Sequence, residues 1–102
     1  MLRTEETEEM RVLVVQIAKA LVDASGEVVL DVVEKPESTI LRLRVAPEDV
    51  GKVIGRQGRT ARSMRTLLAA VGMKYHHRFA LEIIEEHGQT TPHSNVSLAE
   101  AR

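Results

Sequence analysis

From Met10 to Ala24 the apolar residues Met10, Leu13, Val14, Ile17, Ala18 and Leu21 recur at intervals of three or four, with Arg11, Gln16, Lys19 and Asp23 between them. That spacing predicts a helix with one buried face, ended by Ser25-Gly26. At Val28 to Lys35 the pattern changes to alternation, with Val29, Asp31 and Val33 on one side and Val28, Leu30 and Val32 on the other. Its β-branched residues predict a central strand. Pro36-Glu37-Ser38 is a turn, and Thr39 to Ala46 alternates again, Leu41, Leu43 and Val45 inward, Arg42 and Arg44 outward, which completes a β-hairpin. Pro47, Glu48 and Asp49 suit a helix start, since proline fits the first helical position and carboxylates oppose the positive end of the dipole. The short helix they open carries Val50, Val53 and Ile54 and stops at Gly55-Arg56-Gln57-Gly58. A further helix, about Arg59 to Val71, sets Ala61, Met64, Leu68 and Val71 nearly opposite Arg59 and Arg62, with Gly72 closing it. Arg78 to Glu86, alternating Phe79, Leu81 and Ile83 with Ala80 and Glu82, is the third strand. The predicted order is helix, strand, strand, helix, helix, strand: an α+β domain over residues 10–86. Residues 1–9 read as an acidic extension and residues 87–102 as a polar, flexible tail, whose Ser97-Leu98-Ala99-Glu100 capping-box pattern is too short for an isolated helix.

A chain of 102 residues accommodates one such domain. It has no cysteine, which excludes disulfide staples, a thiol nucleophile and thiolate metal sites. No apolar run approaches the roughly 18 residues of a membrane span, and the acidic start is unlike a signal peptide, so a soluble cytoplasmic protein is expected. Aromatic residues make up only 2% of the chain, against folds that stack bases on exposed rings. The net charge of −1 argues against an anionic partner as well, until the charges are taken by position. Pro47 to Arg78 carries seven cations, Lys52, Arg56, Arg59, Arg62, Arg65, Lys74 and Arg78, against Glu48 and Asp49 alone. From Val50 through Leu81 no acidic residue occurs. Arg56, Arg59, Arg62 and Arg65 recur every third position, an oblique stripe on a helix and a source of attraction for anions.

The same segment contains the candidate chemistry. Gly55-Arg56-Gln57-Gly58 leads into the N-terminus of the arginine-bearing helix, where free main-chain amides and the helix dipole favour an anion. Glycines allow a phosphodiester to approach the main chain closely. Arg56 offers a planar fork to phosphate, and Gln57 donates or accepts without sequence preference. An apolar groove beside the loop, lined by Ile54, Ala61, Met64 and the third strand, would receive the bases.

Val53-Ile54-Gly55-Arg56-Gln57-Gly58, set between two helices, resembles the signature of the KH domain, whose GxxG loop clamps about four backbone nucleotides. The element order resembles the type II KH arrangement, a three-stranded sheet covered on one face by three helices. The stretch RVAPEDVGKVIGRQGRTARSMRTLL, Arg44 to Leu68, is similar to the KhpA family of small bacterial single-domain RNA-binding proteins. The resemblance implies a non-catalytic regulatory RNA chaperone that binds single-stranded RNA, acts in cell shape and division, and needs no cofactor. It places Gly55, Arg56, Gln57 and Gly58 on the phosphate backbone and Ile54 behind the loop; the stripe adds Arg59 and Arg62. Many KH domains carry a large aliphatic residue where this chain has Ala61, so base preference does not transfer. The resemblance further implies a homodimer, or a heterodimer with the larger KH-containing protein KhpB, also called Jag or EloR.

Other functions have less support in the residues. Glycines 51, 55 and 58 could cradle a nucleotide phosphate, but no Lys-Ser or Lys-Thr follows them as a Walker loop requires. His76 and His77 are adjacent and diverge on a regular element, so they read as solvated surface, and Ser63 has no acidic neighbour in sequence. No metal site or catalytic set is expected. A protein-interaction module, with the GxxG only a turn between helices, is the alternative that stays open.

Overall fold

The computed structural model describes residues 4–85. Its elements are α1 (Thr4–Leu21), β1 (Val29–Glu34), β2 (Ser38–Arg44), α2 (Val50–Ile54), α3 (Arg59–Tyr75) and β3 (Arg78–Ile84), an α+β fold of the type II KH kind. Turns of 3-10 helix at Ser25–Glu27, Pro47–Asp49 and Arg56–Gly58 link them. The expected tail, with His87, His93 and the capping-box pattern, lies outside the described residues.

The middle strand is β2, not β1. β1 pairs with it antiparallel, from Val29 opposite Arg44 to Glu34 opposite Thr39, and β3 pairs in parallel on the other side, from Ser38 opposite Arg78 to Arg44 opposite Ile84. A parallel neighbour needs a long crossover, and α2 and α3 supply it. β1 is therefore an edge despite its valines: Val28, Leu30 and Val32 pack against the core, while Val29 and Val33 are 45% and 37% exposed.

Helix boundaries differ from the periodic reading, and α1 ends at Leu21 rather than Ala24. α1 starts at Thr4 rather than Met10, with Glu5 and Glu6 in its first turn, where carboxylates stabilise the dipole. Thr7 and Met10 are already buried there, so the acidic stretch belongs to a packed helix. α3 passes through Gly72 to Tyr75 and ends on His76, which takes the left-handed conformation at φ 55°. Gly72 does not close it. A Cβ at Gly72 would collide with the carbonyl oxygen of His77, so glycine here lets the helix and the turn into β3 come together.

The helices cover one face of the sheet. Val14 and Ala18 of α1, Val53 of α2 and Leu68 of α3 meet Leu41 and Leu43 of β2 and Leu81 and Ile83 of β3, all at most 3% exposed. Val53 and Ala61 belong to this cluster and lie on either side of residues 55–58. The GxxG loop is thus anchored to the core from both sides. Truncating Leu41 to Ala would cost about 2–5 kcal/mol, the usual loss for a fully buried leucine.

Candidate nucleic-acid interface

Three of the four loop residues have positive φ. Gly55 has φ 81° and ψ 169°, Gln57 φ 57° and ψ 25°, and Gly58 φ 74° and ψ 13°. The two glycines are required for different reasons. A Cβ on Gly55 would run into the side chain of Thr60 and lie 2.8 Å from the Thr60 nitrogen, whereas a Cβ on Gly58 would meet nothing within 4 Å. Gly55 is thus fixed by packing and backbone together, and Gly58 by its left-handed backbone facing open space. Gln57 adopts a left-handed conformation with a full side chain, a strained choice of the sort that functional loops retain.

The loop amides are not all available to an anion. The Gly58 amide donates to the Gly55 carbonyl at 3.0 Å, and the Arg59 amide donates to the Arg56 carbonyl. Attraction at this end of α3 therefore comes from the dipole and the side chains rather than from those two donors. Arg56, Gln57, Arg59 and Arg62 are exposed, and Ile54, Gly55 and Gly58 are half-exposed. All seven expected site residues are thus at least partly exposed, in the loop or in the helices next to it.

The seven cations of the basic segment have different roles. Lys52 pairs with Asp49 at 3.1 Å and Asp23 at 3.5 Å, so its charge is locally compensated. Arg65 is half-buried, and its Nε donates to the Leu81 carbonyl at 3.2 Å, joining α3 to the edge strand β3. Burial pushes its pKa down, yet guanidinium stays charged in proteins. Among the described residues no ion pair holds Arg56, Arg59 or Arg62. The field of the stripe is thus concentrated beside the loop.

Ala61 and Met64 do not line a groove: they are 3% and 4% exposed, part of the core beneath α3. Ile54 remains at the surface beside the loop, and the seam bridged by Arg65 separates α3 from β3. Asp49 is a residue that the sequence presented only as a helix-start acid. It is fully buried, accepting from the Ala24 amide at 3.0 Å and from Lys52 at 3.1 Å. The Ala24 amide, with Lys52 adding to it against the cost of burial, holds its carboxyl below the usual value. Its partner Lys52 is pushed up, first by that hydrogen bond and then by the charge of Asp23. The polar spot at Asp23-Ala24 is the one sequence signal that could have suggested the tie. His77 also departs from the surface reading, because it is half-buried with Nε2 2.8 Å from Thr39 Oγ1.

Comparison with known proteins gives the family. Residues 11–83 match the family model of the KhpA/KhpB KH domain. A protein of Borreliella burgdorferi named RNA-binding protein KhpA is 55% identical over 69 residues, covering 68% of this chain and 84% of that protein. Proteins of the same name from Clostridium acetobutylicum and Treponema pallidum are 49% and 53% identical, covering 74% and 72% of this chain and 100% and 91% of theirs. No solved structure gives a significant match. With its type II fold, its GxxG loop and a family match over most of its length, the chain belongs to the KhpA/KhpB KH-domain family.

Proposed function

We propose that the chain is a non-catalytic cytoplasmic protein that binds single-stranded RNA by its backbone. Gly55, Arg56, Gln57 and Gly58 form the clamp, Arg59 and Arg62 extend it along α3, and Ile54 meets the adjacent base. The observation that carries this reading is the open space over the left-handed Gly58 beside three exposed arginines that no described residue pairs with. Phosphates can approach the main chain there, and the bases stay free for weak, sequence-tolerant contacts. The names of the bacterial relatives supply RNA as the nucleic acid.

Dimerisation is part of the proposal, because one clamp of about four nucleotides binds weakly and two joined clamps gain avidity. Leu67 is 56% exposed and Leu13 40% exposed beside a small apolar hollow between α1 and α3. On this reading that face takes a second copy or the KH domain of KhpB. An RNA chaperone acting in regulation of cell shape and division is the role such a dimer would serve. The interaction-module alternative rests on the same apolar face.

Fluorescence anisotropy with a labelled single-stranded RNA tests the clamp. Arg56→Asp combined with Gln57→Asp sets carboxylates against phosphate while leaving both glycines and the core in place. A folded double variant that binds like the wild type would remove the clamp and leave the interaction module.

A further inference from the structure

The chain contains one tyrosine and one phenylalanine, and both fall in Lys74-Tyr75-His76-His77-Arg78-Phe79. Its whole complement of conventional aromatic rings, two histidines and two cations thus sit within six consecutive positions. The fold puts this stretch at the end of α3 opposite the GxxG loop, where the chain turns into β3. An open hollow of about 790 Å³ lies there, between the last turns of α3, the start of β3 and the turn joining β1 to β2. That volume is within the roughly 300–1,000 Å³ usual for ligand clefts. Ala69 and Met73 line it from α3, His77 and Phe79 from the entry to β3, and Glu37 and Arg78 add one charge of each sign.

Two features make this hollow more than a surface dent. His77 is held by its hydrogen bond to the buried Thr39 and meets the Phe79 ring edge-on, with centroids 5.3 Å apart, so the wall is set before any ligand arrives. Met73 is 78% exposed, more than any other large apolar residue described, and offers a flexible thioether to a flat π-face. The hollow also shares one side of α3 with Arg62 of the clamp. Arg62, Arg65, Ala69 and Met73 recur at three or four positions and so run along one side of α3. At its middle the path is bound to β3 by Arg65 and Leu81, and at its end by the hollow itself. From Gly58 to Ala69 the helix advances about 16 Å, at 1.5 Å per residue. A strand of a few nucleotides covers that span.

We propose that this hollow is a second site for the same RNA strand, taking a nucleobase just beyond the clamped segment. Met73 and His76 contact its face, and Glu37 and Arg78 meet donors and acceptors on its edge. The inference rests on the RNA-clamping reading, and it extends the footprint from the loop to the far end of α3.

Anisotropy titrations with single-stranded RNA tetramers and octamers test it, in the wild type, in Met73→Gln with Arg78→Gln, and in the clamp variant Arg56→Asp with Gln57→Asp. The wild type should bind the octamer more tightly than the tetramer. The Met73/Arg78 variant should lose about tenfold on the octamer, the scale of one stacked base, and nothing on the tetramer. An abasic substitution that weakens the octamer for the wild type should weaken it no further for that variant. Equal octamer binding by the folded variant and the wild type overturns the second site, as does an equal loss on both lengths. Met73→Glu, which adds a charge at an exposed position, is a second variant that must reproduce the loss. The clamp variant separates the two readings, since it should weaken both lengths; if it weakens neither while the Met73/Arg78 variant loses the octamer, the clamp falls and the second site stands. No binding of the octamer by the wild type overturns both.

Discussion

Asp49 accepts a hydrogen bond from the main-chain amide of Ala24 at 3.0 Å, which ties the turn after α1 to the turn that opens α2. Its folded pKa lies below the unfolded value of about 3.9. The stabilisation is therefore complete above that value and is lost as pH falls through the folded pKa. Asp49→Asn should be less stable than the wild type at pH 7, and the gap should close in strongly acidic buffer. Urea midpoints at pH 7 and pH 3 check this; an undiminished gap at pH 3 would contradict it.

The two loop glycines should fail in different ways. Gly55→Ala puts a Cβ against Thr60 in a left-handed backbone, so it should lower the urea midpoint markedly and RNA binding with it. Gly58→Asn adds a side chain in open space, at a φ that asparagine tolerates. It should leave the fold nearly intact while obstructing the approach of phosphate. Paired stability and binding measurements distinguish the two; matching losses of stability would contradict the assignment of different roles.

Gln57 holds φ 57° with a side chain that resists it. Asparagine visits that region more readily, so Gln57→Asn should stabilise the folded protein by a few tenths to about 1 kcal/mol. Chemical denaturation measures the change, and a destabilised variant would show that the Gln57 side chain makes a compensating contact.

Salt should weaken RNA binding in proportion to the phosphates engaged. Three phosphates at Arg56, Arg59 and Arg62 give a slope of log affinity against log salt of about −2, taking about 0.7 for each phosphate of a single strand. Arg62→Gln should reduce the slope by about 0.7 at every sequence tested. Lys52→Gln should change it far less, because Asp49 and Asp23 already compensate that charge.

Leu67→Glu should separate two copies without unfolding either, since the side chain is 56% exposed. Sedimentation velocity at tens of micromolar should show a dimer for the wild type and a monomer for the variant. A monomeric wild type would remove the stable homodimer from the proposal.

The order of elements was legible because each apolar period belongs to one element: threes and fours in α1 and α3, twos in β2 and β3. Strand order was not. β1 and β2 have similar patterns, and only the parallel docking of β3 on β2 decides which is central. The end of α3 was misread because glycine stops many helices, while Gly72 is present for the close approach of His77. At the candidate site the residues 54–62 were legible as a contiguous motif. The different roles of Lys52 and Arg65 were not, since an ion pair to Asp23 and a hydrogen bond to Leu81 join positions far apart in sequence. Asp49 was hidden for the same reason.

The parallel pairing of β2 with β3 has a further consequence for how the protein is made. The whole GxxG segment lies within the crossover between these two strands, and that crossover closes only when residues 78–84 find residues 38–44. Such distant pairings form slowly, because loop closure must precede the contacts that reward it. A nascent chain that has emerged only through α3 would carry the arginines and the glycines without the strand that completes the core beneath them. Its capacity to grip RNA should therefore arise late in synthesis, in one step, when β3 joins the sheet.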